Sequence, residues 1–446
     1  MPRSTAKSSF LLFLLGLGCM TKVFLLGTIA LSELVIFFSA PLIFLKNYRN
    51  MRREGFLPYI YMLSLMILGM LASSAWNHTP YTFTLKQFAV FYGFFAYYVV
   101  FYCLLHDNFK GIGWFFFGAF ISGIITVWIL NPRADVSTTG FAYIANADVE
   151  DVIHGQLFWI GKVRSLCELP IVAAYLKTPI AYSVVAPIFF VAFAMFSSVS
   201  GRAQSMCVLL GGGLMLIAGK SRVKMRRIGR HILILAVGGV IILLAYKTLY
   251  SYAASRGYLG EDARIKYEHQ TDRGKGAFSM LVAGRTEFFI ALTAIWDHPI
   301  IGFGPRPEDT QGYTEKFLLK YGTETDIRGY YYYMLHFASQ GARANIPSHS
   351  HIMGAWLWCG ISGLVFFLWI FYNFYVHIRY YISAVPHWFG YFVLIIPSMS
   401  WSILFNPIGD RYGLSLLMVC IFFSKAVIRG KIILPREIEM EARKAE

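Results

Sequence analysis

The sequence contains few charged residues for its length. Of its 446 residues only 14% are charged, whereas 57% are hydrophobic and 17% are aromatic; soluble proteins carry about 25% charged residues. This scarcity of charge excludes a soluble globular domain, and the apolar excess excludes an intrinsically disordered chain. The same composition excludes collagen and a coiled coil. What remains is a membrane protein that crosses the bilayer several times.

Motifs for metal, nucleotide or disulfide chemistry are also lacking. The six cysteines lie in apolar stretches without a CxxC pair, so neither a disulfide framework nor a zinc site is indicated. The sequence contains no Walker, Rossmann, catalytic-triad or nucleic-acid-binding motif. We attribute the formal charge of +16 to basic cytoplasmic loops. The sequence therefore predicts no metal, no cofactor and no nucleic-acid partner.

Long apolar runs dominate the chain. A transmembrane helix needs about 20 mostly apolar residues, and the runs predict an all-α polytopic bundle of about twelve spans. The first run is short and is followed by Lys22, so residues 9–45 form either a tight hairpin or one long helix. The predicted spans are 9–20, 23–45, 57–75, 87–105, 112–130, 156–176, 180–198, 203–219, 231–249, 352–375, 387–405 and 412–428.

Basic residues divide the predicted loops into two sides. Loops at 46–53 and 220–230 and the tail from Lys425 are rich in lysine and arginine, whereas the opposite short loops carry one basic residue each. By the positive-inside rule both termini are cytoplasmic. The predicted organisation is nine spans in 1–249, a large external loop in 250–351, three spans in 352–428 and a cytoplasmic tail in 429–446.

The external loop at 250–351 is electrically balanced and long enough to be functional. It contains eleven Lys or Arg and eleven Asp or Glu residues, and ordered loops of this length usually carry function. Apolar residues at helical spacing in 277–297 predict a helix packed on the bundle or the interface. Glycines and prolines at 302–307 end it. The tyrosines at 330–333 indicate an interfacial aromatic belt or, less commonly, a polar cleft.

Four arginines on the predicted external side are candidates for phosphate binding. A guanidinium is a planar, permanently charged fork of donors that fits phosphate oxygens bidentately. Alternatively, the arginines of the long loop pair with its acids, as surface arginines commonly do. Arg202 has only apolar, serine and glycine neighbours, and an arginine at membrane depth is costly and therefore a functional candidate. The four are Arg202, Arg264, Arg273 and Arg285.

Two histidines directly precede a predicted span. His349 and His351 lie in Pro347-Ser348-His349-Ser350-His351, before the apolar run at 352–375. An imidazole at the membrane face can accept a proton from a sugar hydroxyl near neutral pH. The spacing also suits two metal ligands, but no third ligand accompanies them. The remaining alternative is a pair of ordinary interfacial histidines.

Acidic residues provide two further candidates. The segment Asp148-Val149-Glu150-Asp151, followed by His154, is either a divalent-cation site or, more simply, a solvated loop. Glu33 and Glu168 fall inside predicted spans, where a carboxylate is costly and therefore a functional candidate. Glu168 alternatively pairs with Arg164 one helical turn earlier.

Three short motifs follow one another on the predicted external side. They are Ser200-Gly201-Arg202-Ala203, then Gly284-Arg285-Thr286-Glu287 continuing to Gly302-Phe303-Gly304, and finally His349-Ser350-His351 leading to Gly360 and Gly363. In this order and at these distances they resemble the O-antigen ligase and O-antigen polymerase superfamily of bacterial membrane glycosyltransferases. The resemblance favours His349 over His351, because His349 precedes Gly360 by eleven residues. The sequence departs from the family's common pattern at Ser350, Trp358 and Cys359.

The resemblance implies a reaction and a set of site residues. Members transfer a glycan from a polyprenyl diphosphate carrier to a hydroxyl, without a metal or a nucleotide sugar, and work on the periplasmic side of the bacterial inner membrane. By resemblance His349 is the general base and Arg285 a catalytic arginine. The diphosphate-binding arginines are Arg202, Arg264 and Arg285, and the further candidates are His351, Arg273 and Tyr331.

The sequence leaves the acceptor and one rival function open. A ligase transfers the glycan to lipid A-core, whereas a polymerase transfers it to another lipid-linked repeat. A transporter of polysaccharide or lipid-linked substrate would instead use Arg202, Glu33 and Glu168 along a pathway, and would be expected to show internal repeats. The sequence contains no convincing repeat, so the glycosyltransferase is the leading hypothesis.

Overall fold

The structure is a computed structural model of the chain, and the regular secondary structure of its described residues is helical apart from one small hairpin. Four of the described helices are long and apolar enough to cross a membrane, as the sequence predicts for a helical membrane protein. The described residues are 2–20, 22–24, 28–106, 108–124, 248, 252–253, 255–258, 264, 286–321, 345–377, 384–385, 388–406, 408 and 411–433.

The N-terminal segment consists of two helices joined by a hairpin. Helix α1 is Pro2–Met20, strands β1 (Lys22–Phe24) and β2 (Thr28–Ala30) pair antiparallel, and helix α2 is Leu31–Glu54. The first alternative for residues 9–45 is therefore correct. The predicted span at 23–45 is displaced toward the C-terminus, because the Glu33 carboxylate accepts a hydrogen bond from the Ala30 amide at 3.0 Å and so starts the helix there.

The next three helices lie where apolar runs were predicted. Helix α3 is Leu57–Trp76, α4 is Tyr81–His106 and α5 is Ile112–Ile124, against predicted spans at 57–75, 87–105 and 112–130. The predicted spans at 156–176, 180–198, 203–219 and 231–249 lie outside the described residues, apart from residue 248, so the number of twelve spans stays a prediction.

The C-terminal part contains six described helices. They are α6 (Thr286–Ile295), α7 (Tyr313–Tyr321), α8 (His351–Cys359), α9 (Ile361–Val376), α10 (Phe389–Phe405) and α11 (Arg411–Ile428). The span predicted at 352–375 is divided into two helices, because Gly360 separates α8 from α9. Its φ of 62° and ψ of −151° are disfavoured for residues with a side chain and interrupt the helix.

Helix α4 lies at the centre of the described bundle. It packs against α2, α3 and α11, and aromatic side chains fill the contacts. The rings of Tyr59 and Tyr98 stack with centroids 4.3 Å apart, and those of Tyr102 and Phe423 are nearly parallel at 5.7 Å. Such large buried rings supply much of the packing energy of a core.

The described bundle has two ends. At one, which we call the Glu54 end, α2 and α11 finish side by side: Lys431 Nζ is 3.7 Å from the Cβ position of Gly55. At the other, the His349 end, the Asn77 amide after α3 donates to the Gly302 carbonyl at 3.0 Å. The basic residues at 46–53 thus lie at the same end as Lys425, Arg429 and Lys431, in agreement with the predicted division for these two segments.

Candidate functional site

An imidazole and a carboxylate meet at the His349 end. Nδ1 of His349 is 2.6 Å from Oε2 of Glu287, and their side chains are 46% and 19% exposed. Nε2 of His349 bonds to none of the described residues. The carboxylate orients the ring through one nitrogen, and the other is left for a substrate. This arrangement suits a general base.

Two helix starts position this pair. Glu287 lies in the first turn of α6, and His349 immediately precedes Ser350, the N-cap of α8. The Ser350 hydroxyl accepts a hydrogen bond from the Met353 amide at 3.2 Å and donates one to the Ile403 carbonyl at 3.1 Å. Serine and asparagine are both favourable N-caps. Ser350 therefore caps α8 and bonds it to α10 at the same time.

The C-terminus of α10 supports both helix starts. Its Ile403 carbonyl accepts the Ser350 hydrogen bond, and its Phe405 ring lies 6.0 Å from the ring of Phe288, the neighbour of Glu287. Both members of the pair are thereby attached to one helix of the bundle. A site built on helix ends is held more rigidly than one built on loops alone.

The glycine-rich loop after α6 is bonded to the break between α8 and α9. The Phe303 amide donates to the Leu357 carbonyl at 2.7 Å, and the Ile361 amide donates to the Ile300 carbonyl at 2.9 Å. A Cβ on Gly360 would lie 1.9 Å from the Ile300 oxygen. Two motifs that are distant in the sequence therefore form one unit, and its close backbone contact requires glycine.

A second connection joins the loop to the segment before His349. The Ile346 amide donates to the Pro307 carbonyl at 2.9 Å, and Glu308 forms an antiparallel bridge with Asn345. Asp309 then caps α7 by accepting hydrogen bonds from the Tyr313 and Thr314 amides at 2.7 and 2.9 Å. These contacts fix the path of the chain leading into His349.

Tyr313 has a phenol that stays protonated. Its hydroxyl donates to the Asp297 carboxylate, and burial together with that negative neighbour raises its pKa. The bond ties α7 to the end of α6, so the carboxylate of Asp297 is occupied. We therefore assign this pair to the scaffold of the site.

The other predicted site residues are placed as follows. His351 is 2% exposed and its ring is parallel to that of Phe367, with centroids 5.9 Å apart, so it does not face solvent as His349 does. Arg264 is partly buried and already has an interaction partner. Arg202, Arg273, Arg285 and Tyr331 lie outside the described residues, as do Glu168 and the acidic segment at 148–151.

Glu33, the carboxylate predicted inside a span, is engaged in a structural contact. Its Oε1 lies 3.2 Å from Nε of Arg411, and its Oε2 accepts the Ala30 amide. Both residues are at the ends of helices, α2 and α11, and the bond links them. The buried charge of Glu33 is thus paired, as buried charges usually are.

Two residues were missed by the sequence analysis. Glu287 is part of the motif that contains Arg285, but no role was predicted for it. Its position two residues after Arg285 is the sequence signal that could have identified it. Arg306, with a φ of 51°, has its guanidinium 5.8 Å from the centre of the Phe83 ring. No sequence signal indicates that conformation.

The described residues near His349 and Glu287 do not form a metal-binding cluster. Across the described ranges no group of three His, Cys, Asp or Glu side chains is placed to bind an ion. The pair itself can accept a proton at one nitrogen and hold the resulting positive charge beside a carboxylate.

The chain matches no protein-family model, no curated protein and no solved structure.

Proposed function

We propose that the protein is a membrane glycosyltransferase that moves a glycan from a polyprenyl diphosphate to a hydroxyl acceptor. The observation that carries the proposal is the 2.6 Å contact between His349 and Glu287. It joins the histidine that the family resemblance singles out to the arginine motif of the same resemblance. The close packing of Gly360 on the loop containing Gly302 supports the same interpretation.

The reaction that we propose is a direct displacement at the anomeric carbon. The acceptor hydroxyl oxygen attacks this carbon, a new glycosidic bond forms, and the bond between carbon and phosphate oxygen breaks. The polyprenyl diphosphate leaves with the bonding electrons, and the hydroxyl proton passes to Nε2 of His349. Glu287 accepts a hydrogen bond from Nδ1–H of His349, stays ionised and stabilises the imidazolium that forms.

The negative charge that develops on the leaving diphosphate needs a positive partner. In the proposal Arg285 supplies it, with Arg202 and Arg264 binding the remaining oxygens. Fixed guanidinium groups can provide such stabilisation in a site that excludes water. Arg285 directly precedes α6 in the sequence, and its adjacency to the helix that carries Glu287 supports this role.

The proposed location is the bacterial inner membrane, with about twelve spans and the site in a large periplasmic loop at 250–351. The basic residues of the described bundle support this orientation, because those at 46–53 and those at 425–431 lie at the Glu54 end. By the positive-inside rule that end faces the cytoplasm, and the His349 end then faces the periplasm.

The acceptor that we favour is lipid A-core, as for an O-antigen ligase, and the alternative is another lipid-linked repeat, as for a polymerase. The two differ in the products that accumulate when the enzyme is lost. A missing ligase leaves polymer on the carrier lipid, whereas a missing polymerase leaves single repeats on the surface. A glycan ladder from a deletion strain therefore separates them.

His349→Ala, expressed in a cell that lacks the native enzyme, tests the proposal. We expect polysaccharide transfer to fall by about 10²- to 10⁴-fold, the usual contribution of a general base, with normal protein abundance because His349 is half-exposed. His106→Ala is the matched control, since it removes the histidine of another His–Glu pair at the Glu54 end. Wild-type transfer by His349→Ala would refute the catalytic assignment.

A further inference from the structure

Arg306 adopts a backbone conformation that arginine normally avoids. Its φ is 51°, in the left-handed region that favours glycine, and it lies between Pro305 and Pro307. A residue before proline is further restricted toward extended conformations. Glycine or asparagine would occupy this position at lower cost. An arginine here therefore indicates a use for its side chain.

Residue Arg306 is exposed. Its guanidinium lies 5.8 Å from the centre of the Phe83 ring, and it makes no ion pair with any acidic side chain that the structure describes. A ring face attracts a cation but leaves the N–H groups at the guanidinium edge available. The ring thus holds the cation in place without satisfying its donors.

Arg306 belongs to the same backbone unit as His349. The next residue, Pro307, accepts the Ile346 amide at 2.9 Å, and Glu308 bridges Asn345; the chain then reaches His349 three residues after Ile346. On the other side, Gly304 lies against Thr79, whose Oγ1 is 2.3 Å from the Cβ position of that glycine. These contacts fix the loop containing Arg306 at the His349 end.

We propose that Arg306 is an anion-binding residue at the edge of this site and that its ligand is a phosphate or diphosphate group of the substrate. The proposal rests on the proposed function, because it takes the substrate to be a phosphorylated one. A guanidinium edge binds two phosphate oxygens at once. The strained backbone and the Phe83 ring pre-orient that edge before the substrate arrives, which lowers the entropy lost on binding.

Binding of inorganic pyrophosphate to the purified full chain in phosphatidylcholine nanodiscs tests this role. We expect Arg306→Gln and Arg306→Gly each to weaken binding about tenfold, as for the loss of one charge-assisted contact. Arg306→Gly relieves the backbone, so it should fold at least as stably as wild type. Arg256→Gln is the matched control, because Arg256 is also exposed and lies 5.3 Å from a tyrosine ring.

The outcomes separate this proposal from the proposed function. Unchanged pyrophosphate affinity in Arg306→Gln, or an equal loss in Arg256→Gln, overturns the anion site. If Arg306→Gln instead lowers only the retention of the protein on phosphatidylglycerol vesicles, Arg306 contacts a membrane head group and the proposal is wrong. His349→Ala should retain pyrophosphate binding, so loss of transfer and loss of anion binding are measured independently.

Discussion

The two ends of the described bundle each contain a histidine paired with a glutamate, and the pairs differ in what surrounds them. At the Glu54 end, Nε2 of His106 is 3.2 Å from Glu54, whose side chain is 4% exposed. Tyr102 also donates to Glu54 at 2.7 Å. At the His349 end, Glu287 is 19% exposed, and no other hydrogen bond to it is described.

The surroundings assign different roles to two chemically similar pairs. Both oxygens of Glu54 are engaged, and the rings of Tyr102 and His106 pack on Phe423. This pair therefore links α2 to α4 through a buried carboxylate, while the His106 side chain is 36% exposed. The pair at the His349 end leaves one imidazole nitrogen on an exposed surface. A His–Glu contact is therefore insufficient evidence for catalysis; exposure and an uncommitted nitrogen are also needed.

The largest effect should come from removing the glycine contact that builds the His349 end. Gly360→Ala places a Cβ 1.9 Å from the Ile300 oxygen at a backbone conformation restricted to glycine. We expect a loss of about 4 kcal/mol or more in the free energy of unfolding and no transfer activity. Thermal unfolding in detergent and a glycan ladder measure the two effects.

Gly55→Ala is the matched control at the opposite end. Gly55 has a φ of 91°, but the nearest atom to its Cβ position is the flexible Lys431 ammonium, 3.7 Å away. We expect a loss of about 1 kcal/mol from backbone strain alone, with transfer retained. Equal destabilisation in the two variants would contradict the role assigned to the close contact at Gly360.

Glu287→Gln should have the next largest effect, on activity and not on stability. Glutamine keeps the shape of the side chain but removes the charge that stabilises the imidazolium, so we expect kcat to fall about 10²-fold while KM changes little. The free energy of unfolding should change by less than about 0.5 kcal/mol, because Glu287 is near the surface. A KM effect with unchanged kcat would instead place Glu287 in substrate binding.

Compared with Gly360→Ala and Glu287→Gln, Glu54→Ala should have the smallest effect on activity, but it should measurably lower stability. Removing the carboxylate leaves the Tyr102 hydroxyl without its acceptor in a buried position, and we expect a loss of about 2 kcal/mol. Glu54→Gln should lose less, since an amide oxygen can accept the same hydrogen bond. If transfer activity in Glu54→Ala fell by more than the amount of folded protein, the Glu54 end would have a role in catalysis.

The sequence predicted part of this fold because apolar runs are local. Helices α3 and α11 coincide with the runs at 57–75 and 412–428, since length and hydropathy suffice to identify them. The errors arose where individual hydrogen bonds, one local and one from a distant segment, decide the boundary. The start of α2 depends on the cap by Glu33, and the break at Gly360 depends on the Ile300 carbonyl.

The candidate site was predicted to a similar extent. The family resemblance marked His349 and the glycines at 302, 304 and 360, and the structure packs the loop containing Gly302 and Gly304 against the helix break at Gly360. The partner of His349 was not predicted, because Glu287 comes from a separate helix. Arg306 was not predicted either, since its significance lies in a dihedral angle that composition does not report.

Composition and apolar run length by themselves determined that this chain is helical and suited to a membrane, because the bilayer demands long segments with internally satisfied backbones. They also marked the residue types able to move a proton or hold a phosphate. Tertiary structure alone decided which histidine has an accessible ring nitrogen and which is enclosed beside Phe367. The sequence specifies the chemistry of each side chain, whereas its exposure and its pairing with other side chains arise only when distant segments pack together.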